Sequence, residues 1–239
     1  MKKIICLMLV LVLIAFSACG NGTDDNNDNL VNDANSQSTS NAGADNNGNN
    51  DNNAVSGLAE ITVDDVMSAP ESPASDFSYS VLDGNVWISR YNGSDDIVVV
   101  PETIDGYPVT VIEGGAFAND CAGRAVRFAD NVIELNSNVF TNNNTVEIVV
   151  CGKGLVVIDN YAFNYCESLK TVVLNEGIEE LPIPTFSVCK SLTDITIPSS
   201  VTTVYGSSIF DCPNVLVKVY AGSAAEQAAA EGNWNYEVI

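Results

Sequence analysis

Apolar residues recur at a fixed period through the second half of this 239-residue chain. The most regular position is a phenylalanine, which follows a small or β-branched residue. The phenylalanines are Phe117, Phe140, Phe163, Phe186 and Phe210, with spacings of 23, 23, 23 and 24 residues. Further apolar columns stand five and eight residues before the phenylalanine and nine and eleven residues after it. The pair spaced by two predicts a short β-strand with one inward face.

Five such units span residues 97–219 and predict a solenoid, because a single unit cannot bury its own apolar face. One short strand per turn at a period of 20–29 residues is typical of leucine-rich repeats. The predicted fold is therefore a mainly β leucine-rich-repeat solenoid with short parallel strands. We interpret the last spacing as a one-residue insertion before Phe210, since Val204 stands six residues before it instead of five.

Both ends of the repeat array show signals for terminal caps. Residues 76–96 alternate apolar and polar positions around the Asp-Gly-Asn sequence at 83–85, which predicts an N-terminal β-hairpin. Residues 220–239 begin with a capping-box pattern at Ser223, followed by an Ala-rich helix. The alternation over 234–238 then predicts a final strand. A solenoid needs such caps, because its end turns would otherwise expose the core.

The N-terminal 18 residues have the pattern of an export signal. Two lysines precede an apolar run over 4–15, which is shorter than the about 20 residues that span a bilayer. The sequence Phe-Ser-Ala-Cys at 16–19 resembles the lipobox of bacterial lipoproteins, whose signal is cut before a cysteine that becomes lipidated. This resemblance implies that residues 1–18 are removed and that Cys19 anchors the protein to the bacterial cell membrane or surface. The alternative is an ordinary secretory signal with an incidental cysteine.

Residues 19–75 predict a disordered tether. The stretch 20–57 consists mainly of Asn, Asp, Gly and Ser, and it cannot bury enough apolar surface to offset the entropy of ordering. One apolar patch interrupts the tether at 61–67, for which the sequence leaves open transient docking or no role at all. Pro70 and Pro73 separate this patch from the folded part.

Two stretches of the repeats resemble the BspA-like leucine-rich repeats of bacterial surface proteins. Residues 195–204, ITIPSSVTTV, resemble the pattern IxIPxxVxxI, and residues 161–169, YAFNYCESL, match AFxxCxxL. The resemblance covers about residues 77–239, and in the second repeat Asn143 replaces the cysteine of the motif. It implies a cell-surface module that binds or adheres, and we expect no enzymatic activity.

The charge balance of the chain is strongly acidic. It has 9 Lys and Arg against 31 Asp and Glu, for a formal net charge of -22. Removal of residues 1–18 takes away two lysines and no acid, so the mature chain would have a charge of -24. Such a chain offers few of the cations that nucleic-acid phosphates need, and anionic lipid would repel it. We expect a monomer with no nucleic-acid partner, in contact with the membrane only through the lipid anchor.

No constellation of residues predicts catalysis. The chain has no histidine, which excludes histidine-dependent nucleophilic catalysis and histidine-ligated metals. Gly152 and Gly154 lack the rest of a P-loop. Glu179 and Glu180 are adjacent, so in an extended segment they would point to opposite faces and not flank one glycosidic bond. We predict no catalytic residue, no metal site and no cofactor, and a carboxylate-dependent hydrolase is the least favoured function.

Cysteines recur with the repeat as well. Cys166, Cys189 and Cys212 stand at intervals of 23 residues and would stack about 5 Å apart, the spacing of neighbouring strands. Free buried thiols are favoured, because small apolar side chains suit a core column. A disulfide between neighbours stays open for an exported chain. Cys121 and Cys151 occupy other columns, and the sequence leaves the disulfide state of all these cysteines undetermined.

The strand register predicts which side chains face outward and form a candidate binding face. These are Arg127, Val150, Val173, Thr196 and Lys218, with Ile148 and Thr171 flanking them. We expect Ile148, Val150 and Val173 to form an exposed apolar patch, which often marks a binding site; a covered strand face is the alternative. The predicted function is recognition of a protein or glycan through this face. The competing hypothesis is a structural spacer, or an accessory lipoprotein that captures substrate without recognition of its own.

Overall fold

The computed structural model describes residues 59–120 and 123–239, in which short strands dominate. In chain order the elements are α1 (Val63–Ser68), β1 (Phe77–Leu82), β2 (Asn85–Tyr91), β3 (Ile97–Val99), β4 (Thr103–Ile104), β5 (Tyr107–Ile112), β6 (Ala125–Arg127), β7 (Glu134–Leu135), β8 (Ile148–Val150), β9 (Val157–Ile158), β10 (Phe163–Asn164), β11 (Thr171–Val173), β12 (Glu180–Leu181), β13 (Phe186–Ser187), β14 (Asp194–Thr196), β15 (Thr203–Val204), β16 (Ile209–Phe210), β17 (Leu216–Val219), α2 (Ala224–Glu231) and β18 (Tyr236–Val238). A turn of 3-10 helix, Ala74–Asp76, precedes β1. Within the described ranges, neither α-helix has the length and apolar character needed to cross a membrane.

Seven strands form one parallel sheet along the solenoid, in the order β18-β17-β14-β11-β8-β6-β3. Consecutive strands pair one repeat apart: Val126 lies opposite Val149, and Val149 lies opposite Val172. These central residues are buried, because alternate residues of a strand face opposite sides and theirs is the core side. β6, β8, β11 and β14 each begin one residue before the apolar pair that predicted the strand.

The other strands stack in the same manner. β1, β2, β5, β7 and β9 form a second sheet, to which β4 adds an antiparallel pair with β5. β10, β13 and β16 form a third sheet, and β12 pairs with β15. Apart from the hairpin β1–β2 and the β4–β5 pair, the pairing is parallel. The predicted mainly β leucine-rich-repeat solenoid is confirmed.

A stack of phenylalanine rings runs through the core. The ring centroids of Phe117 and Phe140 lie 5.3 Å apart, as do those of Phe140 and Phe163. Phe163 and Phe186 lie 4.9 Å apart with an interplanar angle of 8°. The spacing follows the distance between neighbouring strands, because each repeat contributes one ring at the same position. Tyr91 continues the stack towards the N-terminus, 6.1 Å from Phe117.

The last repeat corrects one prediction. Ile209, and not Phe210, pairs with Phe186 and fills the phenylalanine column 23 residues after it. Phe210 is 59% exposed. The proposed insertion before Phe210 is therefore wrong, since Val204 stands five residues before Ile209, as in the other repeats. The residue type in this column departs from the pattern, whereas the column keeps its spacing of 23; the irregular spacing lies further along, where Val217 pairs with Ile195 at 22 residues.

Both terminal elements expected from the sequence are present. β1 and β2 form a hairpin whose turn places Asp83 at φ 50° and Gly84 at φ 76°. This left-handed region is the one that two-residue hairpin turns require and that glycine adopts without strain. At the other end the Ser223 hydroxyl accepts the Glu226 N–H at the start of α2, and β18 pairs with β17.

The C-terminal boundary of the predicted tether needs correction. Residues 61–75, predicted as part of a disordered tether over 19–75, contain α1 and a segment that contacts the solenoid. Thr62 and Asp65 form a capping box, in which each side chain accepts the backbone N–H of the other residue. The predicted export signal, the lipidation site Cys19 and the tether up to residue 58 lie outside the described residues.

Candidate functional site

The outward side of the seven-stranded sheet, which we call the strand face, holds the residues predicted to bind a partner. In one column Arg127 pairs with Val150, and Val150 pairs with Val173. Further along the same column Thr196 pairs with Lys218. A second column contains Ala125, Ile148, Thr171 and Asp194, which pair in that order. The structure therefore places all seven predicted residues on one face.

Helix α1 covers the N-terminal half of the strand face. Val66 of α1 is fully buried in a cluster with Ala125, Ile148 and Val150. Ile148 and Val150 are each only 5% exposed, so the prediction that they form an exposed patch is wrong. The reason is the hydrophobic effect: full burial of a valine or isoleucine side chain stabilises a fold by roughly 1.5–3 kcal/mol. The apolar patch of the predicted tether and the apolar patch of the strand face cover one another.

Hydrogen bonds fix the segment that follows α1. Arg127 Nη2 donates to the carbonyl oxygen of Ala69 at 3.1 Å. The Ser72 N–H donates to the Val99 carbonyl at 2.9 Å, and the Val99 N–H donates to the Ser72 hydroxyl at 3.2 Å. Ser72 thus satisfies backbone groups at the outer edge of β3, in the place that another strand would take.

The C-terminal half of the strand face is accessible in the described part of the chain. We call it the open half, and it consists of Thr171, Val173, Asp194, Thr196 and Lys218. Val173 is 37% exposed, and the other four side chains are half-buried. Lys218 Nζ donates to Asp194 Oδ2 at 2.5 Å, and this carboxylate raises the pKa of Lys218. These five residues present one valine, two hydroxyl groups and one ion pair on a shallow surface, and Leu216 and Glu237 extend its two columns towards the C-terminus.

Ion pairs border both halves of the strand face. Glu147, just before β8, accepts Arg124 Nε at 2.9 Å and Lys170 Nζ at 2.6 Å. The Arg124 guanidinium, and after it the Lys170 ammonium, hold the pKa of Glu147 below its usual range. Arg127 and Lys218 on the strand face also have internal partners. In the open half, Lys218 is already paired with a carboxylate, so this half offers little free positive charge to an acidic ligand.

The described cysteines lie in the core or at its end. Four are free thiols: Cys151, Cys166, Cys189 and Cys212. Cys166 and Cys189 are buried, and their thiols donate at 3.2 Å to the carbonyls of Phe140 and Phe163, one turn back. Of the two alternatives left open by the sequence, the structure has free thiols at these four positions. Cys121 lies outside the described residues.

Asn143 takes the place of the cysteine in the second repeat. Its Nδ2 donates to the Phe117 carbonyl at 2.7 Å, the same one-turn-back contact that the cysteines make. Its Oδ1 accepts the N–H groups of Thr145 and Val146. Both ends of this buried amide are hydrogen-bonded, so the departure from the motif leaves the core intact.

A cleft of about 680 Å³ opens at the C-terminal end of the solenoid. Its walls include Phe210 and Cys212 of the last repeat and residues 231–235, which begin at the last residue of α2. Trp234 Nε1 donates to the Gly206 carbonyl at 2.8 Å and holds the two walls together. The sequence analysis missed the cleft, because it depends on the outward position of Phe210 and on the return of α2 beside the last repeat.

The described residues contain no group of three or more His, Cys, Asp or Glu side chains placed to hold a metal ion.

The chain resembles known proteins over its repeats. Residues 103–222, half of the chain, match the family described as "BspA type Leucine rich repeat region" in six copies, where five repeats were predicted. The crystal structure of a leucine-rich-repeat protein of T. pallidum matches with a TM-score of 0.56 and 26% identity, covering 63% of this chain and 71% of that one. A leucine-rich-repeat protein from Bacteroides ovatus has the same fold, with a TM-score of 0.52 and 18% identity over 61% of this chain and 48% of that one. No curated protein matches the chain.

Proposed function

This chain belongs to the BspA-type leucine-rich-repeat family, and we propose that it is an exported, lipid-anchored module that binds a protein or glycan through the open half of its strand face. Solenoids of this kind offer extended surfaces built from successive repeats, and these surfaces are what they use for recognition. The observation that supports the proposal is Val173, an apolar side chain that stays exposed on a face where its neighbour Val150 is buried.

The chemistry of the open half suits a macromolecular ligand. Val173 offers an apolar contact, and Thr171 and Thr196 offer hydroxyl groups on either side of it. The ion pair of Asp194 and Lys218 adds charges that are already oriented by each other. A shallow surface of this composition resembles the mixed polar and apolar surfaces through which macromolecules meet, whereas small ligands are usually enclosed in concave pockets.

The proposed site is narrower than the one predicted from the sequence. Ile148 and Val150 lie beneath α1, and Arg127 donates to the carbonyl of Ala69. A partner could reach these three residues only by displacing α1 and the segment after it. We therefore restrict the proposed binding face to the open half.

Export and anchoring rest on the motif at 16–19 and on the charge of the chain. At a net charge of -22, direct adsorption to anionic lipid is unfavourable, so a covalent lipid on Cys19 is the anchor that we propose. Cys19→Ala should release the protein from membranes in a fractionation experiment. A Cys19→Ala variant that stays in the membrane fraction after loss of its signal would contradict the lipoprotein assignment.

The binding proposal is tested with the full chain on protein and glycan arrays, followed by titration of the ligand found. Val173→Asp should weaken binding about 30-fold, the equivalent of the 2 kcal/mol typical of a hot-spot residue. Val157→Asp is the matched control, because Val157 is 41% exposed but lies in β9 of another sheet. It should bind like the unmodified protein.

The outcomes separate the candidate functions. If folded Val173→Asp binds as tightly as Val157→Asp, the ligand uses another surface and the open half is not the site. If the unmodified protein binds nothing on either array, the spacer hypothesis is favoured. The cover that α1 places on half of the strand face would then serve the stability of the solenoid alone.

A further inference from the structure

The cysteine column changes its character at the C-terminal end. Cys166 and Cys189 are fully buried, and their thiols are hydrogen-bonded to backbone carbonyl oxygens of the preceding repeat. Cys212 instead donates to the Phe210 carbonyl of its own turn, at 3.4 Å, and is partly exposed. It lines the cleft of about 680 Å³ described above. One thiol of the column is thus accessible to a small molecule, while the next thiol lies behind it.

The register of the repeats brings Cys189 and Cys212 together. Ser187 of β13 pairs with Phe210 of β16, and the two cysteines stand two residues beyond this pair. Neighbouring strands lie about 4.8 Å apart, which is within the about 4.4–6.8 Å between Cα atoms that a disulfide spans. The Cys189 and Cys212 side chains are close enough for each to shift the pKa of the other. The two sulfur atoms are therefore neighbours without any rearrangement of the fold.

We infer that Cys212 is a modification site for small disulfides and that Cys189 is its resolving thiol. In the first step the Cys212 sulfur attacks one sulfur of the small disulfide, so a mixed disulfide forms and one small thiolate leaves. In the second step the Cys189 sulfur attacks Cys212, the Cys189–Cys212 disulfide forms and the second small thiolate leaves. The two protein thiols release their protons to the departing thiolates or to water. Two cysteines are oxidised and one small disulfide is reduced to two thiols.

The electrostatics of the pair agree with this order of events. The neighbouring Cys189 thiol lowers the pKa of Cys212, whereas the neighbouring Cys212 thiol and burial raise the pKa of Cys189. Burial raises the pKa of Cys166 to about 12 and that of Cys151 to about 12. Since the thiolate is the nucleophile, Cys212 reacts first. After Cys212 has formed the mixed disulfide, its sulfur is no longer negatively charged. Ionisation of Cys189 is then no longer opposed by a neighbouring thiolate.

The walls of the cleft favour a cationic or neutral disulfide. The charged side chains that line it are Asp211 and Glu231, both acids, and Phe210 and Trp234 add aromatic surface. Lys190, next to Cys189 in sequence, pairs with Asp211 and so compensates only one of the two acids. Cystamine, a small dicationic disulfide, should therefore react faster than oxidised glutathione, which is anionic.

The test exposes the full chain to excess cystamine, quenches samples over time and maps the cysteines by mass spectrometry of tryptic peptides. Cys166, Cys189 and Cys212 fall in three different peptides, 154–170, 171–190 and 191–218. We expect the peptide of Cys212 to gain the mixed disulfide at least about tenfold faster than the peptides of Cys151 and Cys166, because buried thiols react only when the fold opens. The peptides 171–190 and 191–218 should then appear as a cross-linked pair.

Three variants sharpen the result. In the Cys189→Ala variant the reaction with cystamine should stop at the mixed disulfide on Cys212. In the Cys212→Ala variant Cys189 should remain unmodified. Cys166→Ala, which removes a thiol of the same column away from the cleft, should behave like the unmodified protein. Equal reactivity of Cys212 and Cys166 in the unmodified chain would overturn the modification site. If the mixed disulfide forms on Cys212 but the cross-linked pair never does, the resolving role of Cys189 is wrong; both readouts need only the unmodified chain.

Discussion

Val150 of β8 and Val173 of β11 pair with each other on neighbouring strands and point in the same direction, yet one is 5% exposed and the other 37%. Residue type, strand position and register are identical for the two. The difference comes from α1, which packs on β6 and β8 and buries Val66 against Val150. A repeat pattern thus decides which side chains point outward, whereas a segment outside the repeats decides which of those meet solvent.

The same contrast separates the two ends of the sheet. At β3 the edge is completed by Ser72, which exchanges hydrogen bonds with Val99. At the C-terminal end β18 adds the last strand beside β17, and its side chains are exposed. The N-terminal half of the strand face is therefore part of the structural core, and the C-terminal half is free to make contacts.

The largest expected effect separates inward from outward positions. Phe163→Ala removes a fully buried ring from the middle of the phenylalanine stack and should lower the free energy of unfolding by about 3–5 kcal/mol. Phe210→Ala, which removes an exposed ring, should change it by less than about 0.5 kcal/mol. Denaturant unfolding of both variants measures the difference. Equal losses would show that Phe210, and not Ile209, occupies the core column.

A smaller effect tests the cover on the strand face. Val66→Asp places a charge in the apolar contact beneath α1 and should cost about 1–3 kcal/mol, since the helix undocks instead of burying the charge. Met67→Asp is the matched control on the same helix, because Met67 is 53% exposed. Thermolysin should cleave within 59–72 much faster in Val66→Asp than in Met67→Asp. Identical cleavage of the two variants would mean that α1 does not depend on this contact.

The smallest effect concerns the ion pairs that link the two halves. Glu147→Gln should lower the free energy of unfolding at neutral pH by about 1 kcal/mol, because Glu147 bridges Arg124 and Lys170. Its folded-state pKa is depressed, so its contribution is present above the unfolded value, near 4.5, and is lost as pH falls through the folded value. The two proteins should therefore differ at pH 7 and converge in acid. A difference that stays constant down to low pH would contradict the ion-pair origin.

The residues that face the core of the solenoid were predictable, because burial requires apolar residues at the same position of every repeat. Val126, Val149 and Val172 were recognisable from the period alone. The one misassigned column, at Phe210, came from following an aromatic residue type instead of the period. Val201, Val204 and Cys212 each stand 23 residues after their counterparts in the preceding repeat. The same spacing after Phe186 falls on Ile209 and would have identified it as the residue of the phenylalanine column.

The cover on the strand face was only half predictable. The capping-box pair Thr62 and Asp65, with apolar Val63 and Val66 three residues apart, was a local signal for a helix. Its docking place was not readable, because nothing in a short amphipathic segment specifies which exposed apolar surface it meets. The cleft at Cys212 was hidden for the same reason, since its walls come from segments that only the fold brings together.

The central claim is that α1 covers one half of the strand face and leaves the other half open, and thiol labelling tests it most directly. Val150→Cys and Val173→Cys place the same reactive group at paired positions, and peptide mapping separates them from the native cysteines. Val173→Cys should react with a maleimide at least about tenfold faster, because Val150→Cys reacts only when α1 undocks. Adding Val66→Asp should raise the rate at Val150→Cys towards that at Val173→Cys. Equal rates for the two single variants would contradict the division of the face.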